Sequence, residues 1–289
     1  ITFETQVSLV FADTSGNFNF NAQCVYSRGD GDTFLPVEGS DWSVATFEAS
    51  WSARWGQASV VYDNRMWVMG GLGHSSYFHD VWSSSDGVSW NQATSAAAWS
   101  GRRHLFSMVY QNLMWVMGGW DGGSYLTDVW SSFDGVSWMQ ATSAAAWSAR
   151  WAHSSVVYDN RMWVLGGASG PSHHDVWSSS DGVSWTLASA TATWSARWGH
   201  TSVVYNERMW VMGGWEDDGD SSLRDVWSSS DGVNWTLATS TATWSARYLH
   251  TSVVYNDHMW VLGGSDVSVS SYFSDVAIIH AEQCPAFQC

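Results

Sequence analysis

The chain contains no lysine: all 11 residues of its lysine-plus-arginine count are arginine. Without lysine, neither Schiff-base chemistry nor a lysine nucleophile is available. Charged residues make up only 13% of the 289 residues, and the acidic excess gives a formal net charge of −16. Because this charge repels phosphate backbones and anionic lipid surfaces, the composition predicts that nucleic acid is not a partner.

Long apolar runs are also missing, and cysteine is scarce. No stretch approaches the roughly 18 apolar residues that indicate a membrane span. Cys24, Cys284 and Cys289 lie only in the terminal segments. A bridge from Cys24 to Cys284 or Cys289 would join the two ends of the chain, a Cys284–Cys289 bridge would close a short loop, and three free thiols are the alternative. Because a disulfide favours an oxidising compartment, we expect a secreted protein or one in an organelle lumen.

Tryptophan, by contrast, is abundant, with 24 residues, and it recurs together with glycine at a fixed period. Pairs of glycines are spaced 48, 48, 47 and 50 residues apart, and one tryptophan opens each unit in step. That period is the length of one four-stranded propeller blade. The glycine pairs are Gly70-Gly71, Gly118-Gly119, Gly166-Gly167, Gly213-Gly214 and Gly263-Gly264, and the opening residues are Trp51, Trp99, Trp147, Trp194 and Trp244.

One unit, residues 147–193, can be divided into four strands. Residues 155–158 and 162–165 are short apolar runs separated by a polar turn, and they end at a glycine pair. Residues 175–177 begin a third strand, an Asp-Gly hairpin follows, and a fourth strand begins at Ser184. The pattern predicts an all-β fold, a β-propeller of four-stranded blades.

We predict a single domain over residues 1–289 with six blades, and five or seven blades are the alternatives. The last unit lacks the D-G-x-S-W that follows the third strand elsewhere, so residues 1–4 could supply its outer strand and close the ring. Residues 24–34 parallel residues 80–90, which predicts a degenerate first blade over residues 1–50. The regular blades are 51–98, 99–146, 147–193 and 194–243, and 244–289 form the last blade and a closing tail.

The combination of an arginine before a small-residue strand, a W-V-x-G-G strand end, a D-V-W strand and a later tryptophan resembles the kelch repeat over about residues 51–276. The repeated S-S-S-D-G-V-S-W is also similar to the Asp-box hairpin of sialidase-type propellers, although one residue is missing between its Asp and Gly. The kelch resemblance implies a protein-binding platform, with galactose oxidase as an enzymatic relative.

Two sets of polar residues recur in nearly every unit, and we expect both to be structural. An arginine repeated in each blade should satisfy the same inter-blade hydrogen bonds, with a central anion site as the alternative. The aspartates of the Asp-Gly hairpins should bond their own turns rather than hold calcium. The arginines are Arg54, Arg102, Arg150, Arg197 and Arg247, and the aspartates are Asp86, Asp134, Asp181 and Asp231. His153, His200 and His250 recur in only three units, which argues against a metal or catalytic role.

The loops between each glycine pair and the next D-V differ most among the units, so they are where a repeat scaffold can place specificity. The kelch resemblance puts them on one rim of the disk, beside the blade-to-blade connections that carry Trp55, Trp151 and Trp198. Exposed tryptophans there could anchor a protein partner or stack on a sugar. The candidate binding residues are Trp120, Asp121, Tyr125, Trp215, Asp217, Asp218, His74 and His173.

No catalytic motif, zinc-type cysteine and histidine spacing or cofactor-binding motif is found in the sequence, so we expect neither an enzyme nor a bound cofactor or metal. The hypothesis is a protein-interaction or structural module, a subunit of a larger assembly that presents its variable rim to a protein partner. A carbohydrate-binding propeller is the first alternative, and a sugar oxidase or glycosidase is the second.

Overall fold

The computed structural model describes residues 44–266 and 271–279, and these residues form 21 β-strands. No helix in this part of the chain is long and apolar enough to span a bilayer. Most of the predicted first blade at 1–50, the predicted closing strand at residues 1–4 and all three cysteines lie outside the described residues. The pairing of the cysteines therefore stays a prediction.

Four sheets of four antiparallel strands follow one another along the chain. Blade I comprises β1 (Ala58–Tyr62), β2 (Arg65–Met69), β3 (Val81–Ser84) and β4 (Asn91–Thr94), and blade II comprises β5 (Phe106–Tyr110), β6 (Leu113–Met117), β7 (Val129–Ser132) and β8 (Met139–Thr142). Blade III comprises β9 (Ser154–Tyr158), β10 (Arg161–Ala168), β11 (Ser172–Ser179) and β12 (Thr186–Ser189), and blade IV comprises β13 (Thr201–Tyr205), β14 (Arg208–Glu216), β15 (Ser221–Ser229) and β16 (Thr236–Thr239).

The last sheet, blade V, has three strands: β17 (Thr251–Tyr255), β18 (His258–Leu262) and β21 (Val276–Ile279). A separate hairpin of β19 (Ser265–Asp266) and β20 (Ser271–Tyr272) lies between β18 and β21. The residues after Ile279, where an outer fourth strand would follow in the other units, lie outside the described residues, so the predicted lack of that strand stays a prediction. The described residues thus form five blades rather than the predicted six.

The turn between the first two strands of each blade has a shape that its residues favour. Asp159 and Asn160 have φ angles of 47° and 52°, and they join β9 to β10 with Tyr158 opposite Arg161. Two consecutive residues with positive φ make a type I′ turn, whose twist matches that of the paired strands, and aspartate and asparagine tolerate this conformation. The outer strand of blade III begins at Thr186, because Ser184 and Trp185 still belong to the preceding turn.

The first strands of the blades surround the centre of the molecule, since β1, β5, β9, β13 and β17 contact one another in succession. Apolar cores form between neighbouring blades: Trp67 and Val81 of blade I pack with Met114 and Val116 of blade II. Strands covered on both faces explain why the inner strands show no polar alternation. The architecture is a kelch-like β-propeller, as predicted.

Candidate functional site

A chain of peptide hydrogen bonds links the blades around the central axis. It involves the second residue after each repeated arginine, and all five of these residues have φ between 48° and 64°. Four of them, from His104 to Leu249, donate the N–H to the carbonyl of the equivalent residue in the preceding blade, at 2.7–3.4 Å. The five are Gly56, His104, Ala152, Gly199 and Leu249. They line a central cavity of about 180 Å³.

The repeated arginines are buried and fully bonded, as Arg150 illustrates. Its guanidinium donates to both carboxylate oxygens of Asp175 at 2.7 and 2.8 Å and to the Gly166 carbonyl at 2.8 Å. Burial raises the pKa of Asp175, but hydrogen bonding to Arg150 and its positive charge outweigh burial and lower the pKa below its usual value. The equivalent arginines pair in the same way with Asp80, Asp128, Asp225 and Asp275.

These side-chain bonds stay within one unit, so the prediction that the arginine bonds across blades is wrong for its side chain. The inter-blade bonds come from the backbone of the same residue. The Arg150 carbonyl accepts from Gly119 N–H at 2.9 Å, and the Arg150 N–H donates to the Leu126 carbonyl at 3.2 Å, both in blade II. The backbone at this position thus bonds the preceding blade, and the guanidinium binds an aspartate of its own unit rather than a central anion.

The glycine pairs are required by close packing between consecutive blades. A Cβ on Gly166 would lie 2.8 Å from Cε1 of His200, and one on Gly167 would lie 2.7 Å from the His153 Cβ. Gly167 also has φ of 96°, which other residues rarely adopt. Each pair is thus held between the equivalent positions of two blades.

The three repeated histidines line the cavity wall but are buried and neutral. His200 Nε2 lies 2.7 Å from Ser154 Oγ, and His250 Nε2 lies 2.9 Å from Thr201 Oγ1. Phe106 occupies the position equivalent to Ser154 and Thr201, so His153 faces a phenyl ring instead of a hydroxyl. Neither ring nitrogen of His153 has a hydrogen-bond partner among the described residues. Burial, aided by the neighbouring repeated arginine, lowers the pKa of His153 and of His250 to about 3.

The residues directly after the repeated arginines contact one another in a row beside the cavity, whose lining includes Trp55, and we call these five residues the mouth arc. Trp151 stacks on Trp198 at 5.2 Å between ring centroids, and Trp198 meets the edge of Tyr248 at 5.2 Å. His104 fits between Trp55 and Trp151, at 5.4 and 4.8 Å. The mouth arc comprises Trp55, Arg103, Trp151, Trp198 and Tyr248, all half-buried.

Arg103 replaces an aromatic ring in this arc. Its guanidinium carbon lies 4.3 Å from the ring centroid of Trp55 and 4.6 Å from that of Trp120. No carboxylate among the described residues forms an ion pair with it, and its buried Nε has no hydrogen-bond partner there. Burial lowers the pKa of Arg103, while the nearby hydroxyls of Tyr77 and Tyr125 oppose this, and an arginine remains protonated in any case.

The predicted rim residues of blade II lie beside Arg103. Trp120 contacts Arg103 and meets Tyr77 edge to face at 5.6 Å. Asp121 Oδ1 accepts from the N–H groups of Gly123 and Ser124 at 2.9 and 2.7 Å, so it shapes its own turn. Tyr125 is 37% exposed.

The predicted residues of blade IV belong to a wall formed by the loops of blades III to V. Trp215 is only 9% exposed, because it packs against Trp198 and Tyr248. Asp217 Oδ2 accepts from the N–H and hydroxyl of Ser172 in blade III, at 2.8 and 2.6 Å. Asp266 accepts from the Ser222 hydroxyl at 3.1 Å and joins blade V to blade IV. Asp218 is exposed on the same hairpin.

The two predicted histidines of the rim lie in different blades. His74 is exposed in blade I, and half-buried His173 in blade III lies 2.9 Å from Ser169 Oγ through Nε2. Across the described ranges no group of three histidine, cysteine, aspartate or glutamate residues could hold a metal ion.

The Asp-Gly hairpins lie at the opposite end of the blades, and their aspartates bond their own turns. Asp181 Oδ1 accepts from the N–H groups of Val183 and Ser184, both at 2.8 Å, and from the Ser179 hydroxyl at 3.0 Å. The same network recurs at Asp86, where its hydrogen bonds lower the pKa to about 2. The bonding matches the expected turn chemistry.

Sequence reasoning placed Trp55, Trp151 and Trp198 on the rim but did not single out Arg103 or Tyr248. The signal was present, since both directly follow a repeated arginine. The sequence does not show which way the side chain at that position points. In the structure these side chains point toward the central axis.

Comparison with known proteins agrees with this architecture. No curated protein matches the chain. A solved structure titled "Structure of YjhT" is 15% identical, with a TM-score of 0.65 over 78% of this chain and 81% of that one, and this likeness supports the fold. The model of the KLHDC2/KLHL20/DRC7 kelch-repeats domain matches residues 134–285, more than half of the chain. The chain therefore belongs to the kelch-repeat family.

Proposed function

We propose that this propeller is a non-enzymatic protein-interaction module that binds its partner at the mouth arc, as a subunit of a larger assembly. The observation that carries the proposal is Arg103, a guanidinium with no ion-pair partner among the described residues, held between the indole rings of Trp55 and Trp120 beside the cavity. Membership of the kelch-repeat family supports a role in binding proteins.

The partner should present a carboxylate beside apolar side chains. Arg103 places a positive charge without an ion-pair partner in the mouth arc of a chain whose net charge is −16. A carboxylate would form charge-assisted hydrogen bonds with Arg103, and the surrounding rings would exclude water from them. Trp55, Trp120 and Trp151 supply the apolar surroundings.

We propose no enzymatic role, because two of the cavity histidines and the repeated arginines already have hydrogen-bond or ion-pair partners. His200 and His250 are bonded to neighbouring hydroxyls, and burial keeps the pKa of each well below its usual value. The repeated arginines are paired with aspartates. None of these groups is positioned as an exposed acid, base or nucleophile.

The carbohydrate alternative has less support from the geometry. Trp215, a candidate for stacking on a sugar, is packed against two other rings. Asp217, a candidate for bonding hydroxyls, already accepts two hydrogen bonds from Ser172. A secreted or lumenal location is part of the same proposal and rests on the cysteines alone.

Panning a random peptide display library on the immobilised full-length chain tests the proposal. We expect enriched peptides with an aspartate or glutamate next to apolar residues, and affinity about tenfold weaker for Arg103→Met and for Trp198→Ala. Arg161→Met is the matched control, because Arg161 is exposed at the opposite end of blade III.

Equal peptide affinity in the Arg103→Met and Arg161→Met variants would contradict binding at the mouth arc. A chain that enriches no peptide but binds members of a glycan array would replace the proposal with the carbohydrate alternative.

A further inference from the structure

The outer hairpin of blade IV carries an acceptor sequence for N-linked glycans. Asn234-Trp235-Thr236 is the only Asn-x-Ser/Thr sequence in the 289 residues. It follows the Asp231-Gly232 turn, and Thr236 begins the outer strand β16. An asparagine in such a sequence can carry a glycan in the folded protein only where the surface leaves room for it, so the surroundings of Asn234 decide whether the sequence can be used.

The middle residue of this sequence is anchored in the blade, while its two neighbours are exposed. Trp235 is 6% exposed, and its Nε1 donates to the Gly232 carbonyl at 3.2 Å. Its ring lies edge to face with Trp194, with the centroids 5.9 Å apart. Asn234 and Thr236 are both exposed. Because the anchored tryptophan fixes the backbone between them, the asparagine and the threonine stay on the outer surface of the folded chain.

The amide of Asn234 has one hydrogen bond, and that bond is compatible with a glycan. Its Nδ2 donates to Asp231 Oδ2 at 2.8 Å. A primary amide nitrogen carries two hydrogens, so the bond to Asp231 uses one of them and leaves the other to be replaced by a sugar. A glycosylated Asn234 would thus keep its contact with the turn.

The hairpin lies at the end of blade IV away from the mouth arc. At one end of β15, Ser222 pairs with Trp215, which contacts Trp198 of the mouth arc. At the other end, Ser229 leads into the Asp231 turn. The strand between these ends spans about 20 Å, because each residue of a strand advances by ~3.3 Å. A glycan on the hairpin therefore leaves the mouth arc open to a partner.

We propose that Asn234 carries an N-linked glycan, so that the hairpin end of blade IV faces solvent in the assembly. In the transfer step, C1 of a lipid-diphosphate-linked oligosaccharide forms a bond to Nδ2 of Asn234. The bond from C1 to the diphosphate oxygen breaks, the lipid diphosphate leaves with the bonding electron pair, and the amide nitrogen gives up one proton. This site depends on the proposed secreted or lumenal location, where the transfer takes place, and is independent of binding at the mouth arc.

Peptide mapping of the full-length chain purified from its native source tests the site. Peptide-N-glycanase in heavy-oxygen water should release a glycan and convert Asn234 to a labelled aspartate, and a sample without the enzyme controls for spontaneous deamidation. An unmodified Asn234 overturns the proposal. The same digest reports the state of the cysteines: a disulfide beside an unmodified Asn234 would refute the site alone, and three free thiols would refute the location as well.

Loss of the glycan in variants gives a second measurement. The full-length chain is synthesised behind a secretory signal with endoplasmic reticulum microsomes, and glycans are counted on the protease-protected chains. Asn234→Gln and Thr236→Ala should each abolish the glycan, since one removes the acceptor nitrogen and the other the required hydroxyl, whereas Thr236→Ser should retain it. A glycan that persists in Asn234→Gln would assign the modification to another residue and overturn the proposal.

Blades II and III offer a matched pair of variants at the equivalent position. Ser184 is exposed like Asn234, and Thr186 stands two residues after it, so Ser184→Asn completes the acceptor sequence and should carry two glycans. Ser137→Asn should carry one glycan, as the wild-type chain does, because Met139 stands where the hydroxyl is required. A single glycan on Ser184→Asn that maps to residue 184 would show that the hairpin is accessible but Asn234 is not used, and would overturn the proposal.

Discussion

Arg102 and Arg103 are adjacent in the sequence, yet they belong to two regions of the molecule that use arginine in opposite ways. Arg102 is one of the repeated arginines, which together with their aspartate partners and the glycine pairs we call the frame. It is fully buried and donates to Asp128 at 2.5 and 2.8 Å and to the Gly118 carbonyl at 3.1 Å. Arg103 lies in the mouth arc, stacked between Trp55 and Trp120 without an ion-pair partner among the described residues.

The difference shows how a repeat can vary without losing its fold. The repeated arginine binds an aspartate and a glycine carbonyl in each of the five described blades. The aspartate side chain is 12–18% exposed in blades I to IV and 49% exposed in blade V, so a change of the arginine leaves mostly buried polar groups unpaired in blades I to IV. The next position points to the mouth and accepts tryptophan, arginine or tyrosine. Stability and the proposed binding therefore depend on neighbouring residues, and each can be tested separately.

The largest expected effect separates the two arginines. Arg102→Met should cost about 3–5 kcal/mol of unfolding free energy, because it leaves the mostly buried carboxylate of Asp128 without its partner. Arg103→Met should change stability by no more than about 1 kcal/mol, since it removes only stacking on partly exposed rings. Urea unfolding of both variants measures the contrast. Equal losses at the two positions would show that Arg103 also belongs to the frame.

A smaller effect distinguishes close packing in the frame from backbone strain. Gly167 and Gly170 have φ angles of 96° and 114°, but a Cβ on Gly167 would meet His153 and the Trp151 carbonyl, whereas one on Gly170 would meet nothing within 4 Å. Gly170→Ala should therefore cost about 1–2 kcal/mol from backbone conformation alone. Gly167→Ala should cost about 1–3 kcal/mol more, from overlap with its neighbours.

Thermal or urea unfolding of the two glycine variants provides the measurement. If both lose the same stability, the glycine pairs are required for their backbone conformation and not for the contact between blades.

The fold was predictable because each blade repeats its local signals. The spacing of the glycine pairs, the two-residue turns such as Asp159-Asn160 and the Asp-Gly hairpins all act within one unit, so a sequence pattern is enough to place them. The long third strand of blade IV was less predictable. Ser221–Ser229 extends beyond the repeated D-V-W because its hairpin bonds to the wall of neighbouring loops, a tertiary effect.

The candidate site was predictable only in part, for a geometric reason. The variable loops, chosen because the units differ most there, include Trp120, which lies on Arg103. Trp215 was expected to offer an exposed ring, but Trp198 and Tyr248 converge on it from two other units. Contacts among three units depend on how the blades are arranged around the axis, which no pattern within one unit contains.

The smallest expected effect concerns the three repeated histidines. They line the central cavity but are as buried as the repeated arginines. The folded-state pKa of His153 is lowered to about 3, mainly by burial, from an unfolded value of 6.5. Below pH 6.5 the unfolded chain binds the proton and the folded chain does not, so stability is present above that pH and is lost as the pH falls. Between pH 7.5 and 5.5 the loss should be about 1.4 kcal/mol for each such histidine.

His153→Leu should remove that share of the acid sensitivity, and leucine suits the site because Leu105 occupies the equivalent position in blade II. The measurement is urea unfolding of the wild-type and variant chains at both pH values, with the pH 7.5 pair as the control for any packing change. An unchanged loss of stability between the two pH values would mean that His153 takes up a proton at pH 5.5 in the folded chain as readily as in the unfolded chain. It would then belong with Arg103 among the charged groups at the mouth rather than with the neutral frame.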